Sequence, residues 1–291
     1  MPDFLIIGAQ KAGTTWLFQN LRVHPEIWFP PEKEIHYFDL PPFLPFSWLR
    51  FMPLRAIRTW ALNRLDRDRA KVARGEQSSE WFQKYYEQWR TARWYESIFT
   101  PAPGQIAGEA TPTYATLSER RIRQIQRRMP DLKLIYLLRD PLARMWSDVA
   151  MFHTAKFGGT GLESANEKAV MHFLKSRWNL GHSRYFENLS RWEKYFEPSR
   201  IFVGFQDHIS EDPLGLLKQV FQFLGVDGKI EVSQELAQRR INVAHYPAMP
   251  TSIGRYLAEQ LIVDLENLDR RFQNTHTASW MRRAQALLQT H

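Results

Sequence analysis

Four consecutive apolar residues, Phe4-Leu5-Ile6-Ile7, run into Gly8, and after Ala9-Gln10-Lys11-Ala12-Gly13 a second apolar run opens with Thr14-Thr15-Trp16-Leu17-Phe18. A short apolar run closed by glycine suits a buried central strand, and the paired threonines suit a capped helix start. A strand that turns through a glycine loop straight into a helix constrains the rest of the chain strongly. It demands a layered α/β core, and it aims unpaired backbone N–H groups and the positive end of the helix dipole at whatever anion occupies the turn.

The spacing of Gly8 and Gly13 is that of a nucleotide-binding Walker loop, but the Lys-Thr pair that follows the second glycine there is Thr14-Thr15 here, and the lysine lies inside the loop at position 11. In the NTPase loop that lysine reaches the phosphates and the next hydroxyl holds magnesium. The displaced lysine therefore points to a different phosphate-like donor. A second segment, Leu132-Lys133-Leu134-Ile135-Tyr136-Leu137-Leu138, reads as another buried strand and ends in Arg139-Asp140-Pro141. Asp140 is a suitable N-cap and Pro141 a suitable first helical residue. Arg139 then stands at the carboxyl end of a strand, where open α/β sheets bind ligands, and Ser147 lies about two turns into the next helix. A guanidinium fork and a hydroxyl together suit a phosphate. No acid occupies the last apolar positions of the strand before Arg139, so no magnesium partner of the NTPase type is expected.

Lys11-Ala12-Gly13-Thr14-Thr15 after a first strand, with Arg139-Asp140-Pro141, Arg144 and Ser147 after a later one, resembles the sulfotransferases that use 3′-phosphoadenosine 5′-phosphosulfate (PAPS). The resemblance covers most of the chain and is strongest to the branch containing heparan-sulfate sulfotransferase domains and bacterial natural-product sulfotransferases. Glu34-Ile35-His36-Tyr37-Phe38-Asp39 is similar to that branch's Glu-x-His-[Phe/Tyr]-Phe-Asp motif, and Gly108-Glu109-Ala110-Thr111-Pro112-Thr113-Tyr114 is a weaker echo. The resemblance implies a donor-binding segment of Lys11, Ala12, Gly13, Thr14, Thr15 and Trp16, with Lys11, Gly13, Thr14 and Thr15 on the 5′-phosphosulfate. It also implies Arg139 and Ser147 on the 3′-phosphate, and Glu34 as the base that takes the acceptor proton. Sulfuryl transfer needs an attacking atom in line with the leaving phosphate and positive charge where that leaving group grows more negative, and Lys11 supplies such charge without a metal.

Pro30-Pro31-Glu32-Lys33-Glu34 offers two carboxylates, and the residues alone leave Glu32 as well as Glu34 open as base; the resemblance selects Glu34. In an extended segment His36 shares the alternation phase of Glu34, so both face one cleft and His36 joins the catalytic set, the alternative being a histidine satisfied in the core wall. Two departures stand out. Ala110 replaces a lysine of the branch's Glu-Lys-Thr-Pro-x-Tyr motif, so a positive contact is missing or supplied elsewhere. The basic segment with which the family closes over its nucleotide has its nearest counterpart in Arg239 and Arg240.

The implied architecture is a three-layer, P-loop-like α/β fold with a central parallel sheet of about five strands flanked by helices. It forms a single domain over 1–291 with a helical and aromatic insertion around 40–103. The chain has 291 residues, 44% hydrophobic content and no linker rich in Gly, Ser or Pro, which suits one sizeable core. Cysteine is absent, which removes thiolate metal sites and cysteine nucleophiles and suits a reducing cytoplasm. The first strand begins almost at Met1 and no run of about 18 uncharged apolar residues occurs, so a cytoplasmic, bacterial enzyme without a signal peptide or transmembrane segment is expected.

A net charge of +8 draws an anionic donor electrostatically, and without an RNP-like motif or a recognition-helix pattern no specific nucleic-acid partner is expected. The partner is instead a small-molecule or glycan acceptor. The insertion, with Pro41-Pro42, Trp48, Arg50, Arg55, Arg58, Arg64, Trp81, Phe82, Tyr85, Tyr86, Trp89, Trp94 and Tyr95, either recognises that acceptor or packs onto the core. Two other readings share parts of this pattern: a small-molecule kinase, which needs ATP and magnesium, and a basic polyanion-binding module, which predicts steeply salt-dependent binding.

Overall fold

The computed structural model describes residues 1–40, 45–51, 55–157, 167–175, 177–228, 234–238 and 247–289. Five strands, β1 Phe4–Gly8, β2 Ile27–Trp28, β3 Ile106–Ala110, β4 Lys133–Leu138 and β5 Ile201–Phe205, form one sheet in the order β2-β3-β1-β4-β5. Every pairing is parallel, with Phe4 level with Gly108 on one side and Lys133 on the other. β1 is the central strand and is buried along its whole length. Flanking helices on both faces remove its side chains from water, which explains a continuous apolar run rather than an alternating one.

β1, β4 and β5 are the strands legible as apolar runs. β2 is only two residues long. β3 is broken in sequence by Gly108 and Glu109, and packing explains the glycine: a Cβ at 108 would lie 2.3 Å from the Phe4 ring and 2.6 Å from that of Phe29. The strand gives up a side chain where two rings cross it.

The helices, in chain order, are α1 Thr14–Leu21, α2 Arg55–Ala73, α3 Ser79–Tyr86, α4 Ala92–Ser97, α5 Glu119–Arg128, α6 Pro141–Phe157 and α7 Glu167–Leu174. They continue with α8 Arg177–Gly181, α9 Tyr185–Glu193, α10 Asp207–Glu211, α11 Pro213–Leu224, α12 Gln234–Gln238, α13 Thr251–Phe272 and α14 Thr275–Gln289. Leu217, Val220, Phe221 and Leu224 recur at helical spacing along α11, as do Ile253, Leu257, Leu261, Leu265 and Leu268 along α13, and both apolar faces are buried. Among the described residues no helix is long and apolar enough to cross a membrane.

The insertion lies between β2 and β3 and carries α2, α3 and α4. Phe82, Tyr85, Tyr86, Trp94 and Tyr95 are buried in the common core, and Tyr95 stacks on Tyr37 with ring centroids 4.3 Å apart. Packing therefore accounts for most of its aromatics. Trp48 and Trp89 differ: they are 50% and 55% exposed and pair at 5.9 Å. Pro41 and Pro42 lie outside the described residues, and the side chains of Arg50 and Arg55 are likewise outside them.

The order of the sheet brings the ends of β1 and β4 side by side. From β1 the chain proceeds through β2 and β3 to one side, and through β4 and β5 to the other. The reversal between β1 and β4 opens a crevice at their carboxyl ends, the usual ligand position in such sheets.

Candidate active site

The loop after β1 closes by Ala12 N donating to Ala9 O at 3.2 Å and is tied to β4 by Ala9 N donating to Leu137 O at 2.7 Å. Gly13 has φ 88°, a conformation that favours glycine, and a Cβ there would stand 2.2 Å from Ile209 Cδ1 of α10, which would have to move. α1 starts at Thr14 as expected, but the capped start does not hold: Gly13 is the N-cap residue and no side chain caps the helix. The first N–H groups of α1 are left for solvent or an anion. Lys11 sits at φ 65°, a left-handed conformation unusual for lysine.

The two sequence motifs meet here. Arg139, at the end of β4, donates from Nη1 to the Lys11 carbonyl at 3.0 Å, and the Lys11 ammonium reaches Met151 Sδ at 3.6 Å, one turn of α6 beyond Ser147. Asp140 caps α6 by accepting from Leu142 N and Ala143 N at 2.9 and 3.1 Å. Arg144 is fully buried and holds α6 to its surroundings, donating to Asp148, Ser183 and the Asn179 carbonyl. Ser147 is buried on the same helix.

Ala12 and Trp16 are buried, and the Trp16 indole donates to Ala237 O at 2.8 Å, so its ring faces α12 and these two residues have only backbone to offer a ligand. Thr14 is buried and Thr15 partly exposed. Arg239 and Arg240 lie outside the described residues.

The Glu34 segment approaches from the other side. It is not extended: Glu34 has φ 62° and His36 φ 55°, both left-handed. The two side chains nevertheless meet, His36 Nε2 lying 3.5 Å from Glu34 Oε2, while His36 Nδ1 lies 2.8 Å from Asp39 Oδ2. A tight reversal achieves what alternation was expected to do. Glu34 N donates to Ala110 O at 3.0 Å, so the residue that replaces the expected lysine contributes its carbonyl.

Lys33 is the residue that the sequence reading passed over. Its ammonium lies 3.0 Å from Glu34 Oε1 and 3.3 Å from Thr15 Oγ1, bridging the carboxylate to the first turn of α1. Its position next to Glu34 was the available signal. Glu32, the competing carboxylate, is buried among three cations, with Lys71 Nζ at 2.8 Å, Arg67 Nη2 at 3.3 Å and Arg64 Nη2 at 3.6 Å. It serves as an internal counter-ion, whereas Glu34 is 37% exposed by side chain.

Burial acting alone would raise the Glu34 pKa, but Lys33 and His36 together outweigh it and hold the carboxyl well below the usual range. Burial likewise disfavours charged His36, yet Asp39 and Glu34 on its two sides raise it above the ordinary imidazole value. Asp39 is lowered against its own burial by His36 and by the Thr113 hydroxyl. The result is a contiguous row, Lys33, Glu34, His36 and Asp39, in which the contacts favour the charged forms of Glu34, His36 and Asp39.

The insertion and β3 fix this row through the backbone. Arg64 donates to the carbonyls of Glu34 and Lys33, both at 2.8 Å. Tyr85 Oη donates to Ile35 O at 3.2 Å, and Arg90 Nη2 to Ile35 O at 3.3 Å and to His36 O. Tyr114 Oη accepts Tyr37 N at 2.8 Å and donates to Glu109 Oε1 at 2.7 Å. Burial pushes the Glu109 carboxyl up although Tyr95, Tyr114 and Thr111 all donate to it.

A family model described as the sulfotransferase domain matches residues 1–249. Human heparan sulfate glucosamine 3-O-sulfotransferase 6 is 27% identical over 230 residues, 77% of this chain and 52% of that protein. The mouse 3B1 form of heparan sulfate glucosamine 3-O-sulfotransferase is 25% identical over 230 residues, 78% of this chain and 46% of that protein. The chain thus spans about half the length of the curated relatives it matches. A solved sulfotransferase from Alicyclobacillus acidocaldarius covers 96% of this chain and 98% of its own with a TM-score of 0.65 at 20% identity. A mouse sulfotransferase complexed with PAP covers 98% of this chain and 89% of its own with a TM-score of 0.52 at 14% identity. These two likenesses show the fold, and the match to the family model spans most of the sequence. The chain belongs to the sulfotransferase domain family.

Proposed function

We propose that the protein transfers the sulfuryl group of PAPS to a hydroxyl or amine of a small-molecule or glycan acceptor. The observation that carries this reading is the Lys33 ammonium, in contact at once with Thr15 of the anion-accepting turn and with the Glu34 carboxylate. One cation thereby joins the place suited to a leaving phosphate to the place suited to a base. The names of the human and mouse relatives favour a sugar hydroxyl as acceptor, and the PAP complex of the mouse sulfotransferase supports an adenosine bisphosphate as the nucleotide product.

The residues present fit this donor. The uncapped start of α1, Gly13, Thr14 and Thr15 would hold the 5′-phosphosulfate with Lys11, and Arg139 with Ser147 the 3′-phosphate. Trp16 ties Ala237 of α12 to α1, and Arg239 and Arg240, which follow in the sequence, are the basic pair assigned to closing over the nucleotide. When bound, PAPS supplies the sulfur electrophile and departs as adenosine 3′,5′-bisphosphate as the bond from sulfur to the phosphate oxygen breaks and the acceptor–sulfur bond forms. Glu34 takes the acceptor proton. Lys11 and Lys33 stand where charge grows on the leaving phosphate, and Lys33 provides the positive contact that Ala110 lacks. His36, held between Glu34 and Asp39, orients the base.

Glu34→Gln keeps size and removes the base, so turnover is expected to fall by about 10²–10⁴-fold. Affinity for adenosine 3′,5′-bisphosphate, measured by calorimetry in EDTA, is expected to stay near the wild-type value. Equal turnover by Glu34→Gln would remove Glu34 from the role, and failure of the wild type to bind the bisphosphate would remove the donor.

A further inference from the structure

Behind the donor turn, α10 and α14 bring together two histidines that the transfer chemistry does not use. His208 Nε2 lies 3.0 Å from His276 Nε2, and His276 Nε2 lies 3.7 Å from Glu211 Oε2. The ligand atoms of His208, Glu211 and His276 all fall within 4.8 Å of one another. On the far side of the His276 ring, Asp207 Oδ1 stands 4.0 Å from Nδ1. Phe205 stacks on His276 at 5.4 Å and meets His208 at a steep angle at 5.9 Å, giving the two imidazoles an aromatic floor.

We propose that His208, Glu211 and His276 form a binding site for a divalent transition-metal ion of the zinc type, with Asp207 as the outer carboxylate on His276. Bonds of about 2.0–2.2 Å in tetrahedral geometry set ligand atoms roughly 3.3–3.5 Å apart. The observed 3.0 and 3.7 Å separations bracket that spacing. An ion also takes the lone pairs of both facing nitrogens, whereas a direct contact uses one lone pair and one proton. Two imidazoles and one carboxylate suit zinc, cobalt or nickel better than magnesium or calcium, which prefer all-oxygen shells. Asp207, 4.0 Å behind His276 Nδ1, is placed to move in and complete the carboxylate–histidine–metal pattern that sets a ring's tautomer and orientation. Glu211 is 60% exposed by side chain, so the fourth position opens to water.

The ion takes no part in sulfuryl transfer. Its effect is mechanical: it joins α10 to α14, and Ile209, next to His208, lies directly against Gly13 of the donor turn.

The test is titration of chelator-stripped protein with cobalt(II), followed by its visible d–d absorption, together with zinc competition and thermal unfolding. One ion per chain is expected, with the intense bands of a tetrahedral site and a higher unfolding temperature in zinc. His276→Ala should abolish both signals. Asp207→Asn should weaken cobalt about 10–100-fold, as loss of an outer carboxylate does. Glu211→Gln, a change on an exposed side chain, should weaken it at least about tenfold and decides the matter if the histidine variant does not fold. Wild-type cobalt affinity in Glu211→Gln and Asp207→Asn, or a wild type that binds no ion, would overturn the site and leave a plain histidine–histidine hydrogen bond.

Discussion

At the scale of single residues, the site is governed by Glu34 and the two cations that touch it. Three of the four non-glycine residues with positive φ among those described are Lys11, Glu34 and His36. Left-handed backbone costs free energy in such residues and persists where surrounding contacts over-determine it. Here the Glu34 and His36 side chains meet at 3.5 Å, while the Lys11 ammonium turns to Met151 of α6. The electrostatics give a signed prediction. Lys33 and His36 lower the Glu34 pKa while burial raises it, so removing either cation leaves the raising effect less opposed. His36→Asn, which tolerates the left-handed backbone, or Lys33→Met should therefore move the acid limb of the kcat/KM–pH profile to higher pH. An unmoved limb in both variants would show that another group governs it.

Among the elements, the insertion proves to be a brace. The carbonyls of residues 33 to 36 point at Arg64 of α2, Tyr85 of α3 and Arg90 just before α4, all of them buried. Arg64 also lies over the rings of Phe46, Trp60 and Tyr85 at 5.4–5.7 Å. Arg64→Met removes two charge-assisted bonds to the catalytic segment while Glu32 keeps Arg67 and Lys71, so a loss of about 2–4 kcal/mol is expected in urea unfolding. Turnover should fall more than donor affinity, because the donor turn rests on β1 and β4 and not on α2. Trp48 and Trp89, about half exposed, keep aromatic surface on this brace.

For the whole molecule, the C-terminal hairpin lies beyond the residues matched by the family model, yet it belongs to the core. α14 buries Trp280, Met281 and Ala284, lays Leu287 on Gly254 of α13, and sends Arg283 to Asp140, the cap of α6, at 2.5 Å. Burying each large apolar side chain contributes about 1.5–3 kcal/mol, so the helix supplies a large part of a typical stability of about 5–15 kcal/mol. A chain ending at Phe272 should be mostly unfolded, or much more sensitive to limited proteolysis, at 25 °C. Wild-type resistance and an unchanged circular dichroism melt would show the hairpin to be an appendage. The sheet order carries the larger consequence, since it alone makes β1 and β4 neighbours and places their two turns in one crevice.

Local patterns in the sequence were enough for β1, β4, β5, the Asp140 cap and the apolar faces of α11 and α13, because each depends on residues within one or two turns of one another. The glycine turn between β1 and α1 was legible for a similar reason: its strand, loop and helix lie in consecutive positions. What contacts between distant segments decided was hidden. β3 lost its apolar signature to the rings of Phe4 and Phe29, and the role of the insertion depends on hydrogen bonds that span 30 to 55 positions from Arg64, Tyr85 and Arg90. Whether Glu32 or Glu34 faced solvent was likewise settled by Arg64, Arg67 and Lys71. Local sequence determines which backbone shapes and side-chain chemistries are available; burial and charge, which are properties of the assembled core, determine which of them is left free to act.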